Sequence, residues 1–252
     1  MNLLSILMLS LMSLLSGNAE VDFVFFGDAM QHSKQYQVAQ RANGTYDYSE
    51  CFKAVQSDIE EADYAVVNFE CTLGGAPYSG YPCFSAPDEY AQQLQKVGFD
   101  LFLTANNHCL DRRDKGAVRT INKLDEFGIP HIGTYVNKQA RSQQLPFIKD
   151  FDGIKVAFLD YTYGTNGIPI QKDVVVDYID KKVISDDIDK ARAAGANVVC
   201  VNMHWGVEYT LTPVQVQRDL ASFLIDRKLL CQAEDRLVDL IQLHAVPPFR
   251  LR

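Results

Sequence analysis

Leu101-Phe102-Leu103-Thr104-Ala105-Asn106-Asn107-His108 sets the architecture. Its apolar run is too short for a buried helix and ends abruptly in polar groups, which reads as a buried strand delivering an amide and an imidazole at its carboxyl end. Three more runs, upstream and downstream, share the pattern. Phe23-Val24-Phe25-Phe26-Gly27 ends in Asp28, and Ala65-Val66-Val67-Asn68-Phe69 ends in Glu70. Residues 198–203 end in His204, followed by Trp205-Gly206 and Glu208.

Helical signals separate these strands. Phe52, Val55, Ile59 and Ala62 recur at steps of three and four, as on one face of a helix. Pro87 opens a helix that Gly98 closes. Val118, Ile121 and Leu124 mark a helix closed by Gly128, and residues 184–194 one closed by Gly195. Thr212-Pro213 caps a helix to about Asp226. A short strand is expected at residues 131–134. Asp152-Gly153 joins residues 147–151 and 154–161 as a hairpin. Strands alternating with longer helices predict an α/β fold.

In α/β sheets, ligands bind beyond the carboxyl ends of strands. An acid or imidazole after a strand is ordinarily a cap or turn residue, but four such ends in one sheet system can converge. They would bring together Asp28, Glu70, Asn107, His108 and His204, with Asp111 just beyond. Carboxylate, imidazole and amide donors suit zinc, manganese or iron, without a thiolate. A bridging carboxylate such as Glu70 could hold a pair of divalent ions about 3.5–4 Å apart. His108, next to Asn107, is placed to protonate a leaving group. Asp111 either fixes the His108 tautomer or caps a helix.

Composition narrows the rest. The 252 residues are 47% hydrophobic, enough for one large core. With a net charge of -8 and scattered Lys and Arg, no basic stripe points to nucleic acid, and no nucleic-acid partner is expected. A negative chain also repels anionic polymers at long range, so an anionic substrate needs a local positive charge, which a metal ion would supply. Residues 3–15 are almost wholly apolar, too short to span a bilayer and of signal-peptide length. Residues 1–19 are therefore expected to be a signal peptide or membrane tether, making the protein exported, periplasmic or membrane-associated. The spacings of the six cysteines match no zinc ribbon or redox pair. Most are expected to be buried thiols, with a Cys71–Cys83 bridge left open.

Gly27-Asp28, Val67-Asn68-Phe69-Glu70, Phe84-Ser85-Ala86-Pro87, Leu103-Thr104-Ala105-Asn106-Asn107-His108 with Asp111, and His204-Trp205-Gly206 with Glu208-Tyr209 follow one another in order. With Gly128-Ile129-Pro130-His131-Ile132-Gly133, they resemble the successive motifs of the bacterial capsule-synthesis (CapA-type) family of poly-γ-glutamate biosynthesis. The resemblance covers residues 21–226. That family is similar to the calcineurin-like metallophosphatases, which implies a four-layer sandwich of two mixed sheets flanked by helices. It implies metal binding by Asp28, Glu70, Asn107 and His204, with His108 catalytic. It also implies a role with an envelope polymer or its precursor, poly-γ-glutamate or polysaccharide, alongside membrane-bound synthesis proteins.

The sequence departs from that pattern twice. Metallophosphatases often begin with D-x-H, whereas the first histidine here is His32, four residues after Asp28. The family pattern also continues past Asp226 to a G-x-H-P-H segment that residues 227–252 lack. The expectation is an atypical tail, such as a shifted reading frame produces, and an incomplete C-terminal part of the fold. Losing those histidines would weaken a hydrolytic site.

Overall fold

A computed structural model describes residues 20–210, 212–226 and 249–251. The expected leader and the sequence between Asp226 and Phe249, with Cys231, lie outside the described residues.

The first sheet contains β1 (Phe23–Asp28), β2 (Tyr64–Asn68), β3 (Leu101–Leu103), β4 (His131–Ile132) and β10 (Phe249–Leu251). Its order is β10-β1-β2-β3-β4, parallel from β1 to β4 with β10 antiparallel on the β1 edge. The second sheet has the order β6-β7-β9, from β6 (Phe147–Phe151), β7 (Ile154–Thr162) and β9 (Val198–His204). Here β6 and β7 form the hairpin turned by Asp152-Gly153, both at positive φ, while β7 and β9 run parallel. Both sheets are therefore mixed. A small ladder joins β5 (Thr134–Tyr135) to β8 (Val175–Val176).

Period-two alternation explains the layering. Phe25, Tyr64, Val66, Leu101 and Leu103 point toward the second sheet and share a core with Phe158, Leu159, Tyr161 and Val201. Val24, Ala65, Val67 and Phe102 point the other way. They pack on α1 (Ser33–Ala39), α2 (Gln56–Glu60), α3 (Asp88–Val97) and α4 (Arg113–Glu126) through Ala39, Ile59, Leu94 and Leu124. A further short helix, α5 (Lys138–Gln144), precedes β6. On the far side, α6 (Lys181–Ala193) and α7 (Gln215–Asp226) contribute Ile184, Ile188, Leu220 and Leu224 to the shared core. Each such buried side chain contributes roughly 1.5–3 kcal/mol relative to exposure.

Several elements differ from the expectations. The helix over residues 52–62 shortens to α2 behind a run of turns. The single strand over 131–134 splits into β4 and β5, which belong to different sheets. Gly133 makes the break at φ +107°, a backbone conformation that disfavours any side chain. Within the atypical tail, β10 covers the β1 edge that would otherwise present unpaired backbone groups. Cys71, Cys109 and Cys200 are buried thiols and Cys51 and Cys83 exposed ones; all five are free, so Cys71 and Cys83 form no bridge. No helix among the described residues is long and apolar enough to cross a membrane.

Gly133 also lies where the sheets meet. A Cβ there would stand 2.3 Å from Asp160 Oδ2 and 2.5 Å from the Ala105 nitrogen. Gly133→Ala is expected to lower stability by about 2–4 kcal/mol, combining backbone strain with overpacking. The denaturant midpoint of the purified variant measures this, and an unchanged midpoint would show that the junction yields freely.

Candidate metal centre

The carboxyl ends of β1, β2 and β9 converge. Asp28 and Asn68 are paired across β1 and β2, with a register irregularity between Phe26 and Asp28. Such a bulge re-aims the side chain that follows it. His204 ends β9, opposite Thr162 of β7. Asp28, Glu70 and His204 each offer a ligand atom, and these atoms all lie within 4.8 Å of one another. Glu70 and His204 are buried and Asp28 is exposed, so the group opens to solvent on the Asp28 side.

Electrostatics suit a cation. Burial, reinforced by the adjacent Asp28 charge, pushes the Glu70 carboxyl up to about 10. A cation between the two acids reverses that preference, because its charge stabilises both carboxylates. Two oxygens and one imidazole nitrogen form a donor set acceptable to zinc, manganese or iron.

Asn107 is brought to the same place. Its Oδ1 lies 2.9 Å from His204 Nε2, and its Nδ2 donates to Asn166 Oδ1 at 3.2 Å. Tyr163, half exposed, stacks on the His204 ring at 5.9 Å between centroids. The loop over residues 163–167 thus borders the site, with Asn166 at a positive φ.

His108 follows Asn107 and is buried. Its Nδ1 is 2.7 Å from Asp111 Oδ2, which also accepts the Phe84 backbone N–H at 2.7 Å. The Phe84 ring meets the His108 ring edge-on at 4.7 Å. The Asp111 carboxylate thus contacts the imidazole and the Phe84 amide, while Arg112 stands at the N-cap of α4. With Nδ1 engaged, Nε2 is the nitrogen left for proton exchange. Phe84 is core, whereas Tyr81 is exposed.

Other candidates fall elsewhere. His32 stands at the N-cap of α1, its backbone N–H donating to Gln35 Oε1 and its ring edge-on to Phe84. It is not in the Asp28–Glu70–His204 group. His131 is buried in β4 and meets Asp125 at 3.1 Å, so that motif histidine serves packing.

Asn68 and Asn106 carry more of the site than their sequence positions suggested. Asn68 Nδ2 lies within 3.2 Å of atoms from Asp28, Glu70 and His204. Asn106 Nδ2 donates to Asn68 Oδ1 and to the Phe69 carbonyl, and Asn106 Oδ1 accepts the His108 N–H. One signal was available: Asn68 stands two residues before Glu70, the spacing that puts side chains on one side of a strand.

The family described as bacterial capsule synthesis protein PGA_cap matches residues 22–229. Capsule biosynthesis protein CapA of Bacillus anthracis is 25% identical over 220 residues, covering 83% of this chain and 52% of that protein. PGA biosynthesis protein CapA of Bacillus subtilis (strain 168) is 24% identical over 213 residues, covering 80% and 53%. The chain spans about half the length of these relatives. Among solved structures, the Haemophilus influenzae NAD nucleotidase NadN is similar with a TM-score of 0.50 at 16% identity, over 75% of this chain and 34% of that one. That likeness concerns the fold alone and agrees with the α/β arrangement of two mixed sheets and flanking helices described above. The extent of the match over residues 22–229 makes the chain a member of the bacterial capsule synthesis protein family PGA_cap.

Proposed function

We propose that this protein acts in the cell envelope, exported and periplasmic or membrane-associated, on a capsule or poly-γ-glutamate-type polymer or its precursor. Its activity in this reading is a metal-dependent, phosphoesterase-like hydrolysis, performed beside membrane-bound synthesis proteins. The observation that carries it is the convergence of Asp28, Glu70 and His204 next to Asn107 and the buried His108–Asp111 pair.

Asp28, Glu70, Asn107 and His204 would hold a divalent ion or a pair of them, zinc, manganese or iron. Such ions supply Lewis acidity and lower the pKa of water. The chain's own residues do the remainder. Asp111 holds His108 Nδ1, so the imidazole meets a substrate through Nε2 and gives its proton to the leaving oxygen. The Phe84 ring limits water around His108, and the open Asp28 side admits the polymer.

Metal analysis by mass spectrometry of the purified protein tests the first half of this reading. One or two transition ions per chain are expected in the wild type and loss of bound metal in Glu70→Gln. A metal-free wild type, even after supplementation, would end the hydrolase reading.

His108→Ala is expected to lower phosphoester turnover by about 10²–10⁴-fold. Asp111→Asn is expected to lower it by about 10–100-fold. Both variants should retain wild-type metal content. Polymer binding by a metal-loaded wild type without turnover would instead assign the cleft to anchoring.

A further inference from the structure

Asn68 ends β2 with its side chain buried beside two acids, Asp28 and Glu70, that repel one another once both are ionised. Its Nδ2 lies 2.7 Å from Asp28 Oδ1, 3.0 Å from Glu70 Oε2 and 3.2 Å from His204 Nδ1. A primary amide has two N–H protons and no lone pair to offer a metal from nitrogen. Those protons serve the two acids, one each, and the bonds strengthen when both acids are ionised, as they would be around a cation.

The far end of the amide decides its orientation. Asn68 Oδ1 accepts from Asn106 Nδ2 at 3.2 Å. Asn106 cannot turn without loss, since its Nδ2 also donates to the Phe69 carbonyl at 3.0 Å and its Oδ1 accepts the His108 N–H at 3.2 Å. Flipping Asn68 would set one NH₂ against another and aim a carbonyl oxygen at two carboxylates. The network therefore admits one orientation, with donors toward the acids.

We propose that Asn68 is a positioning residue of the metal centre: it does not ligate the ion but holds the Asp28 and Glu70 carboxylates in place for it, with Asn106 setting the direction of its amide. This rests on the metal reading above. Without the two N–H donors, the acids must be brought together by the ion alone, and part of the binding energy is spent doing so.

Cobalt(II) titration of the metal-free protein, followed by visible absorption, tests this. The titration reports affinity, and the band positions report the ligand set. Asn68→Leu, close in size but without donors, is expected to bind cobalt about 10–100-fold more weakly than the wild type with unchanged bands. Asn68→Ser, which keeps one donor, should fall between them, and it carries the test if Asn68→Leu lacks a cooperative thermal transition. Equal affinity in both variants would show that Asn68 positions nothing. Weaker binding with shifted bands would make Asn68 itself a ligand and overturn the proposal. A wild type that takes up no cobalt would overturn the metal reading, and this proposal with it, an outcome visible before any variant is compared.

Discussion

The Asp160 carboxylate, buried in β7 of the second sheet, accepts the Ala105 backbone N–H at 2.8 Å just beyond β3 of the first. That bond ties the two sheets together where their carboxyl ends meet, and the site depends on the tie. His204 is placed by its β9 pairing with β7, whereas Asn107 is placed by the loop that begins at Ala105. Asp160 thus relates the imidazole side to the amide side. Burial pushes its carboxyl well above the usual carboxylate range, and the junction accommodates this acid because Gly133 lacks the Cβ that would occupy its space. The break between β4 and β5 belongs to the same constraint.

The apolar core shared by the sheets supplies the rigidity that a convergent site requires. Aromatic and aliphatic side chains fill the space between them, and close-packed interiors of this kind transmit position rather than yielding. Against that background the polar groups at the strand ends are held by each other. Asn106 holds Asn68, Asn68 spans Asp28 and Glu70, Asn166 holds Asn107, and Asp111 holds His108. The cost is a buried Glu70 beside another acid, an arrangement that disfavours its charged form.

The second sheet is where family likeness and local chemistry divide. Its hairpin and the β7–β9 pair are ordinary α/β construction, yet they bring Tyr163 and Asn166 to the site's margin. Loops placed by a rigid scaffold commonly carry such roles. The strand β10, pairing on β1, extends the first sheet on the side away from β2 and so leaves the convergent ends unchanged.

By itself the sequence determined the elements and most of the polar residues at their ends. Apolar runs ending in Asp28, Glu70, Asn107 and His204 are local facts, as are Gly98, Gly128 and Gly195 closing helices and Asp152-Gly153 turning a hairpin. Burial of alternate residues and the conformational freedom of glycine leave a mark within a few positions of the chain. Only the tertiary structure decided which ends meet. Asn68 and His204 are 136 positions apart, and Asn107 and Asn166 are 59 apart. A hydrogen bond across such separations leaves no periodic trace, because either asparagine would read equally well as a turn or strand-end residue. The split at Gly133, the single-turn α2 and the edge strand β10 escaped for a related reason. Each is set by what packs beside it, and the partner lies on another part of the chain.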